Sequence, residues 1–302
     1  MFLEIREIGK VKKYYLIHSY RERGRVQRIS RYLGSNLSEK KLLELKAKAE
    51  QHILEEIKER SILEFELTKK EIEEYKKYEH RIEIKHLQTL NWKRFTEDFT
   101  YNTNAIEGST VALSEVKELL EGKEQPRDIE EIETLNVAQA VEFIRNTKEN
   151  ITVDLVKHLH LICFKRTKHF AGKLRDLNVV IRDGQGNIVH QGAPIDMVKK
   201  LLEELCEWYK QHRTKYPPLL LAAVVHNQFE KIHPFQDGNG RVGRLLLNYV
   251  LLQHKYPPIN IRLQDRGKYY GCLQEYDKKD DIKPTLKFLI SQYKKQYRVS
   301  TE

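Results

Sequence analysis

Cysteine is scarce: Cys163, Cys206 and Cys272 are the only three, far apart in the sequence and without a Cys-x-x-Cys spacing. That excludes a disulfide framework and a thiolate zinc site, and it favours a reducing compartment. Long apolar runs are lacking too; no stretch approaches the roughly 20 residues that a membrane-spanning helix needs. The opening residues MFLEIREIGK contain no apolar segment of the kind a signal peptide requires. The expectation is a soluble cytoplasmic protein with no membrane partner. Internal repeats and low-complexity tracts are lacking as well.

Basic charge is abundant. In 302 residues, 54 Lys and Arg stand against 44 Asp and Glu, a formal net charge of +10, and 40% hydrophobic residues suffice for a real core. The excess is uneven: residues 1–33 carry nine basic side chains against Glu4, Glu7 and Glu22. Such an imbalance bears on partners rather than on fold.

Three short strands are expected over 2–8, 13–19 and 25–33, with Gly9-Lys10 and Arg23-Gly24 as turns. They make a small antiparallel meander that is basic on its exposed face. The bland reading is an edge protected by Lys and Arg; the sharper one is a nucleic-acid contact through residues 1–33. From Ser38 to about His86 neither Pro nor Gly occurs. Leu42, Leu45, Ala49, Ile53 and Ile57 recur at helical spacing, so one long helix or two is expected. Beyond Trp92 the pattern is almost wholly helical. Ser114 is expected to cap a short helix ended by Gly122. Asp128 with Glu131 reads as a capping box opening 129–146, and Thr152 as the cap of 153–166. Further helices are expected at 194–212, 218–230, 240–254, 265–277 and 284–297. Within this helical region Asn178–Ile181 and Ile188–His190 flank Asp183-Gly-Gln-Gly-Asn187, a hairpin signal. The fold class is mainly α: a helical domain with a β-hairpin, preceded by the meander and a long helix. The expected divisions are 1–36, 37–90, 91–150 and 151–302.

The segment with chemical content is Ile232-His-Pro-Phe-Gln-Asp-Gly-Asn-Gly-Arg-Val-Gly-Arg244. It is a loop running into a helix N-terminus. Gly238 and Gly240 allow backbone geometries closed to other residues, so successive N–H groups around Asn239 can converge on an anion. Arg241 and Arg244 are three apart and share a helix face beside that nest, which suits a polyphosphate. Asp237 is a hard oxygen donor of the kind Mg²⁺ takes together with phosphates and waters. His233 is the one group there able to accept a proton near neutral pH. Together these parts specify a nucleotide-dependent transfer site. It is not a Walker P-loop, because no Gly-x-x-x-x-Gly-Lys-[Ser/Thr] occurs.

This stretch resembles the signature of the Fic (filamentation induced by cAMP) family, His-Pro-Phe-x-[Asp/Glu]-Gly-Asn-[Gly/Lys]-Arg-x-x-Arg, at every position. The resemblance runs from about Trp92 onward and implies a helical domain that transfers AMP from ATP to a Tyr, Thr or Ser hydroxyl of a protein. On that resemblance His233 is the general base and Asp237 the Mg²⁺ ligand. Gly238, Asn239 and Gly240 form the phosphate nest, and Arg241 and Arg244 hold the phosphate tail. Phe235 points into the core, and Gly240 (Lys in kinase-like relatives of the toxin Doc) fits AMP transfer. Thr103-Asn-Ala-Ile-Glu-Gly108 is similar to the family's inhibitory helix. The regulatory expectation is that Glu107 pairs with Arg244 and leaves ATP in an unproductive orientation. The hairpin at 178–190 resembles the flap that clamps a target segment. Tyr269 and Tyr270, followed by Asp277, resemble an adenine-binding set. Asp277 stands where relatives often carry Asn, and a carboxylate accepts from the adenine amino group but cannot donate.

Two alternatives remain beside the leading expectation of an autoinhibited adenylyltransferase. The same site with Glu107 could remove AMP from a modified protein, or the basic N-terminus could make the chain a nucleic-acid-binding regulator. A homodimer is a further partner expectation. His226 with Glu230, and His158 with His160, read as buried hydrogen-bonding residues rather than zinc ligands.

Overall fold

The computed structural model describes residues 1–9, 11–22, 25–61, 70, 72, 73, 76, 90–182, 185, 186 and 188–297. They fall into two compact units, Met1–Glu66 and Leu67–Glu302.

In the first unit β1 (Phe2–Ile8), β2 (Val11–Glu22) and β3 (Arg25–Ser35) form an antiparallel meander in the order β1-β2-β3. The register aligns Glu4 with Tyr15 and Tyr15 with Tyr32, with an irregularity between Tyr14 and Tyr15. β2 and β3 are longer than the alternation alone predicts, since each continues pairing through polar residues. Leu16 and Ile29 are buried on one face, against Ile53 and Ala49 of α1 (Glu39–Ser61). Arg6 lies over the Tyr15 ring, and the Glu4 carboxylate takes Arg6 and Arg28 at 2.6 Å each. Part of the basic surface is thus internally neutralised. Turn residues Lys10, Arg23 and Gly24 lie outside the described residues, as does most of the predicted helix beyond Ser61.

The second unit is helical: α2 (Trp92–Ile106), α3 (Leu113–Leu120), α4 (Ile129–Asn146), α5 (Val153–Phe164), α6 (Val198–His212), α7 (Pro218–Ile232), α8 (Asn239–Gln253), α9 (Arg266–Lys279) and α10 (Lys283–Tyr297). Residues 91–150 and 151–302 belong to this one compact body, whereas the sequence reading divides them. α7 and α8 are apolar nearly all round and are its central pair, burying Leu219–Val225 on one and Leu245–Leu247 with Tyr249–Leu251 on the other. Pro218 at the first position of α7 lacks an N–H that would have no partner there.

Helix ends follow local chemistry, with two corrections. Asn91 caps α2 by accepting from the Arg94 N–H, and Thr152 caps α5 by accepting from the Leu155 N–H. Ser114 is not a cap. It lies inside α3, whose cap is Ala112, and the Glu115 carboxylate accepts the Ala112 N–H at 2.8 Å instead. At α4, Asp128 caps the Glu131 N–H as expected, but Glu131 accepts from the Arg127 N–H at 2.6 Å and from its guanidinium, so the box closes one residue early. Gly122, at φ +70°, ends α3 as predicted. The hairpin is present: β4 (Val180–Arg182) pairs antiparallel with β5 (Ile188–Gln191). Asp183, Gly184 and Asn187 of its turn lie outside the described residues.

Candidate active site

The site is built where α7 ends. His233 caps that helix in the left-handed region at φ +53°, uncommon for a residue with a Cβ. A buried arginine holds it there. Arg175 Nε donates to the His233 carbonyl at 2.7 Å and Nη1 to the Leu177 carbonyl at 2.7 Å, while Nη2 donates to the Ala193 carbonyl. Phe235 is fully buried, stacked on the His160 ring with centroids 3.9 Å apart. The His160 Nδ1 accepts the Gly172 N–H at 2.8 Å, so its Nε2 carries the proton and donates to the Asp237 carbonyl at 3.0 Å. Burial pushes the His160 pKa down to about 4, consistent with that neutral tautomer. Asn239 braces the loop with both ends of its amide, accepting from the Phe235 N–H at 2.9 Å and donating to the Phe235 carbonyl at 2.8 Å. Gly238 is at φ +82°, and a Cβ there would meet the Phe164 ring at 2.2 Å, so only glycine fits.

His233, Asp237, Gly238, Asn239, Gly240 and Arg244 share this loop and the first turns of α8, as their spacing predicts. Burial, then the charges of His190 and Arg175, push the His233 pKa down to about 4, so its imidazole is neutral at physiological pH. Partial burial pulls the Asp237 carboxyl upward, but Arg241, Lys168 and the Gly238 N–H outweigh it and hold the group below its ordinary value. Lys168 Nζ is 3.3 Å from Asp237 Oδ2. Arg244 is 2% exposed. Its burial works against the charge, yet Glu107 and Tyr269 keep its pKa above the ordinary value.

Across the loop stands the end of α2. Arg244 Nη2 donates to Glu107 Oε1 at 2.7 Å and to the Thr103 carbonyl at 3.0 Å, and Nε donates to Thr103 Oγ1 at 2.7 Å. Glu107 therefore lies on Arg244, with its carboxylate against the Gly240 backbone.

Other predicted residues are placed differently. Arg241 is buried, with Nη1 2.5 Å from Glu133 Oε2 and its guanidinium over Phe164, so its charge is committed to α4. Tyr269 is 1% exposed and packs among His226, Tyr270 and Phe288; its hydroxyl pairs with His226 Nε2 at 2.9 Å. That is a core position rather than an open stacking platform. Tyr270 is half-buried, and its hydroxyl donates to the Ile106 carbonyl at 3.4 Å. The Asp277 carboxylate is hydrogen-bonded to His190 of strand β5. His160 and His226 are indeed buried and hydrogen-bonded. Sequence reasoning passed over Arg175, Glu133 and Lys168, whose contacts with His233, Arg241 and Asp237 span 58 or more residues and which carry no local motif.

Comparison with known proteins bears on this part of the chain. Residues 150–251 match the family described as Fic/DOC. They are a Fic domain. A solved Fic-domain signalling protein from Bacteroides thetaiotaomicron superposes on 72% of this chain and 92% of its own, at a TM-score of 0.65 and 25% identity. Fic-1 of Caenorhabditis elegans shares the fold, at a TM-score of 0.62 and 22% identity, over 87% of this chain and 77% of its own. By sequence the chain is 31% identical over 198 residues to the protein adenylyltransferase Fic of Nematostella vectensis, and 30% identical over 201 residues to the protein adenylyltransferase fic-1 of Caenorhabditis briggsae. Each match covers 63% of this chain but only 45% and 38% of those relatives, so the chain spans less than half the length of either. Among the described residues no helix is long and apolar enough to cross a membrane.

Proposed function

We propose that the Fic domain transfers AMP from ATP to a Tyr, Thr or Ser hydroxyl of a protein, and that Glu107 restrains it. The observation that carries the proposal is the placement of Glu107 on Arg244 over Gly240, in a loop that also presents a neutral His233. In the transfer, His233 takes the proton of the target hydroxyl. The oxygen bonds to the α-phosphorus of ATP, the bond to the β-phosphate oxygen breaks, and pyrophosphate leaves. Arg244 and the Gly238–Gly240 backbone would hold the phosphates. With Glu107 on Arg244, the guanidinium that a γ-phosphate requires is already taken. Adenylyltransferase relatives support ATP as the donor.

The residues present also suit Mg²⁺. Asp237 is a single, half-exposed hard-oxygen donor beside the nest, held ionised by its neighbours, and no cluster of three His, Cys, Asp or Glu able to hold a metal occurs among the described residues. A metal taken up by one carboxylate plus substrate phosphates and waters is the Mg²⁺ pattern. When bound, Mg²⁺ would neutralise phosphate charge.

The test is incubation of wild type and Glu107→Gly with α-labelled ATP and Mg²⁺, alone and in lysate, followed by mass spectrometry. Higher AMP incorporation by Glu107→Gly is expected. A variant no more active than wild type would remove the restraint, and one that loses an AMP-releasing activity would assign Glu107 to AMP removal instead.

A further inference from the structure

The flap hairpin is tied to the domain at its base. The Gly192 N–H donates to the Val179 carbonyl at 3.1 Å and the Ala193 N–H to the Ile232 carbonyl at 3.2 Å, with Arg175 gathering the carbonyls around them. Farther along β5 there is a second tie. The His190 Nδ1 hydrogen-bonds the Asp277 Oδ2 of α9, with 13% and 24% of the two side chains exposed. The His190 ring also stands 5.2 Å from the His233 ring, centroid to centroid and tilted by 50°. Among the described residues the buried His190 Nε2 has no hydrogen-bond partner. An unpaired buried polar atom costs about 1–3 kcal/mol, so this nitrogen is free to take a partner that enters between the two rings.

The chemistry of the pair fixes the orientation of the flap imidazole. An ionised carboxylate only accepts, so the His190 Nδ1 carries the proton and Nε2 is the atom left to meet something else. Asp277 meanwhile has one oxygen engaged by a residue of the flap.

We propose that His190 and Asp277 are a positioning pair, in which the α9 carboxylate holds the flap imidazole beside His233 and so registers strand β5, and the target segment laid along it, on the catalytic base. This rests on the transfer reading above. The pair acts on the placement of the hydroxyl and not on the nucleotide, whose phosphates belong to the loop and α8. Releasing β5 moves the target oxygen relative to His233 and the α-phosphorus, and displacements of that size carry large rate costs.

The experiment uses the full chain in the Glu107→Gly background, with three readouts: self-incorporation of labelled AMP at saturating Mg²⁺-ATP, the affinity for a fluorescent ATP analogue, and hydrogen exchange of the amides of Ile188–Gln191. His190→Ala and Asp277→Ala are each expected to lower the rate on the order of tenfold. The double variant should be no slower than either single one, because both act through one contact. Analogue affinity should be unchanged and exchange of β5 should rise equally in both. Asp277→Asn keeps an oxygen to accept the Nδ1 proton, so it should retain most of the rate and protection. Weaker analogue binding in Asp277→Ala but not in His190→Ala would overturn the proposal and make Asp277 a nucleotide contact. Additive rate losses, or β5 exchange indifferent to both substitutions, would also overturn it. If Glu107→Gly incorporates no AMP at all, the transfer reading fails, while exchange and analogue affinity still decide whether the pair registers the flap.

Discussion

Glu107 and Gly240 share one space: a Cβ on residue 240 would lie 2.2 Å from Glu107 Oε1 and 3.1 Å from Arg244 Nη1. The carboxylate sits where a nest glycine leaves its backbone bare, the place an anion would otherwise take. Glycine at 240 is thus needed to seat the Glu107 carboxylate.

Gly240→Ala should therefore lower the melting temperature, and most of that loss should vanish when Glu107→Gly is added, since the close contact is with the end of the Glu107 side chain. A thermal double-mutant cycle measures it. Equal losses in both backgrounds would place the strain in the loop backbone instead.

His233→Ala should abolish AMP incorporation in the Glu107→Gly background while binding of an ATP analogue survives, because the imidazole acts on the incoming hydroxyl. Retained transfer would take His233 out of the reaction.

Stability should fall on mild acidification. His160, His226 and His233 are buried, with pKa values pushed down to about 4, 3 and 4 from the ordinary 6.5. The unfolded chain takes up protons that the folded one refuses. Their contribution is therefore full above pH 6.5 and is lost as pH falls from there toward about 4. Glu230 has the opposite sign. Burial pushes its carboxyl up to about 8, so its contribution is full below about 4.5 and lost as pH rises toward about 8. Urea unfolding at several pH values checks both: Glu230→Gln should stabilise the protein at pH 8.5 relative to wild type and do little at pH 5. A gain of equal size at both would deny Glu230 its titration.

Glu133→Ala should be among the more damaging single changes outside the apolar core. It leaves the buried Arg241 guanidinium without its carboxylate, at a cost of roughly 3–5 kcal/mol, whereas Glu133→Gln keeps an acceptor and should cost less. Denaturant midpoints rank the two. Equal midpoints for wild type and Glu133→Ala would show that Arg241 finds another partner.

The helices of the second unit were legible because their apolar spacing, caps and glycine stops are local. The loop from His233 to Arg244 was legible because its special residues are packed into twelve positions, and so was the pairing of Glu107 with Arg244, through two motifs of one family. What escaped depends on contacts between distant parts of the chain. Nothing near Arg241 announces that Glu133 of another helix will take its charge. Nothing near Asp277 announces a histidine 87 residues earlier. Ser114 failed as a cap because Glu115 offers a longer reach to the same helix end, a competition that residue type alone does not decide.

The contacts of Arg244 have a consequence for α2 itself. A helix ends with four carbonyls that find no partner within it. On α2 these are Thr103, Asn104, Ala105 and Ile106. Asn104 and Ala105 are served by the N–H groups of Glu107, Gly108 and Ser109, but Thr103 is served by Arg244 and Ile106 by Tyr270. The last turn of α2 is therefore completed by side chains of α8 and α9. A phosphate that draws Arg244 toward itself removes a capping group from α2 along with the partner of Glu107. On the proposed function, productive nucleotide binding and order in that last turn oppose each other thermodynamically, and fraying at residues 103–107 would be a local gauge of how the nucleotide is held.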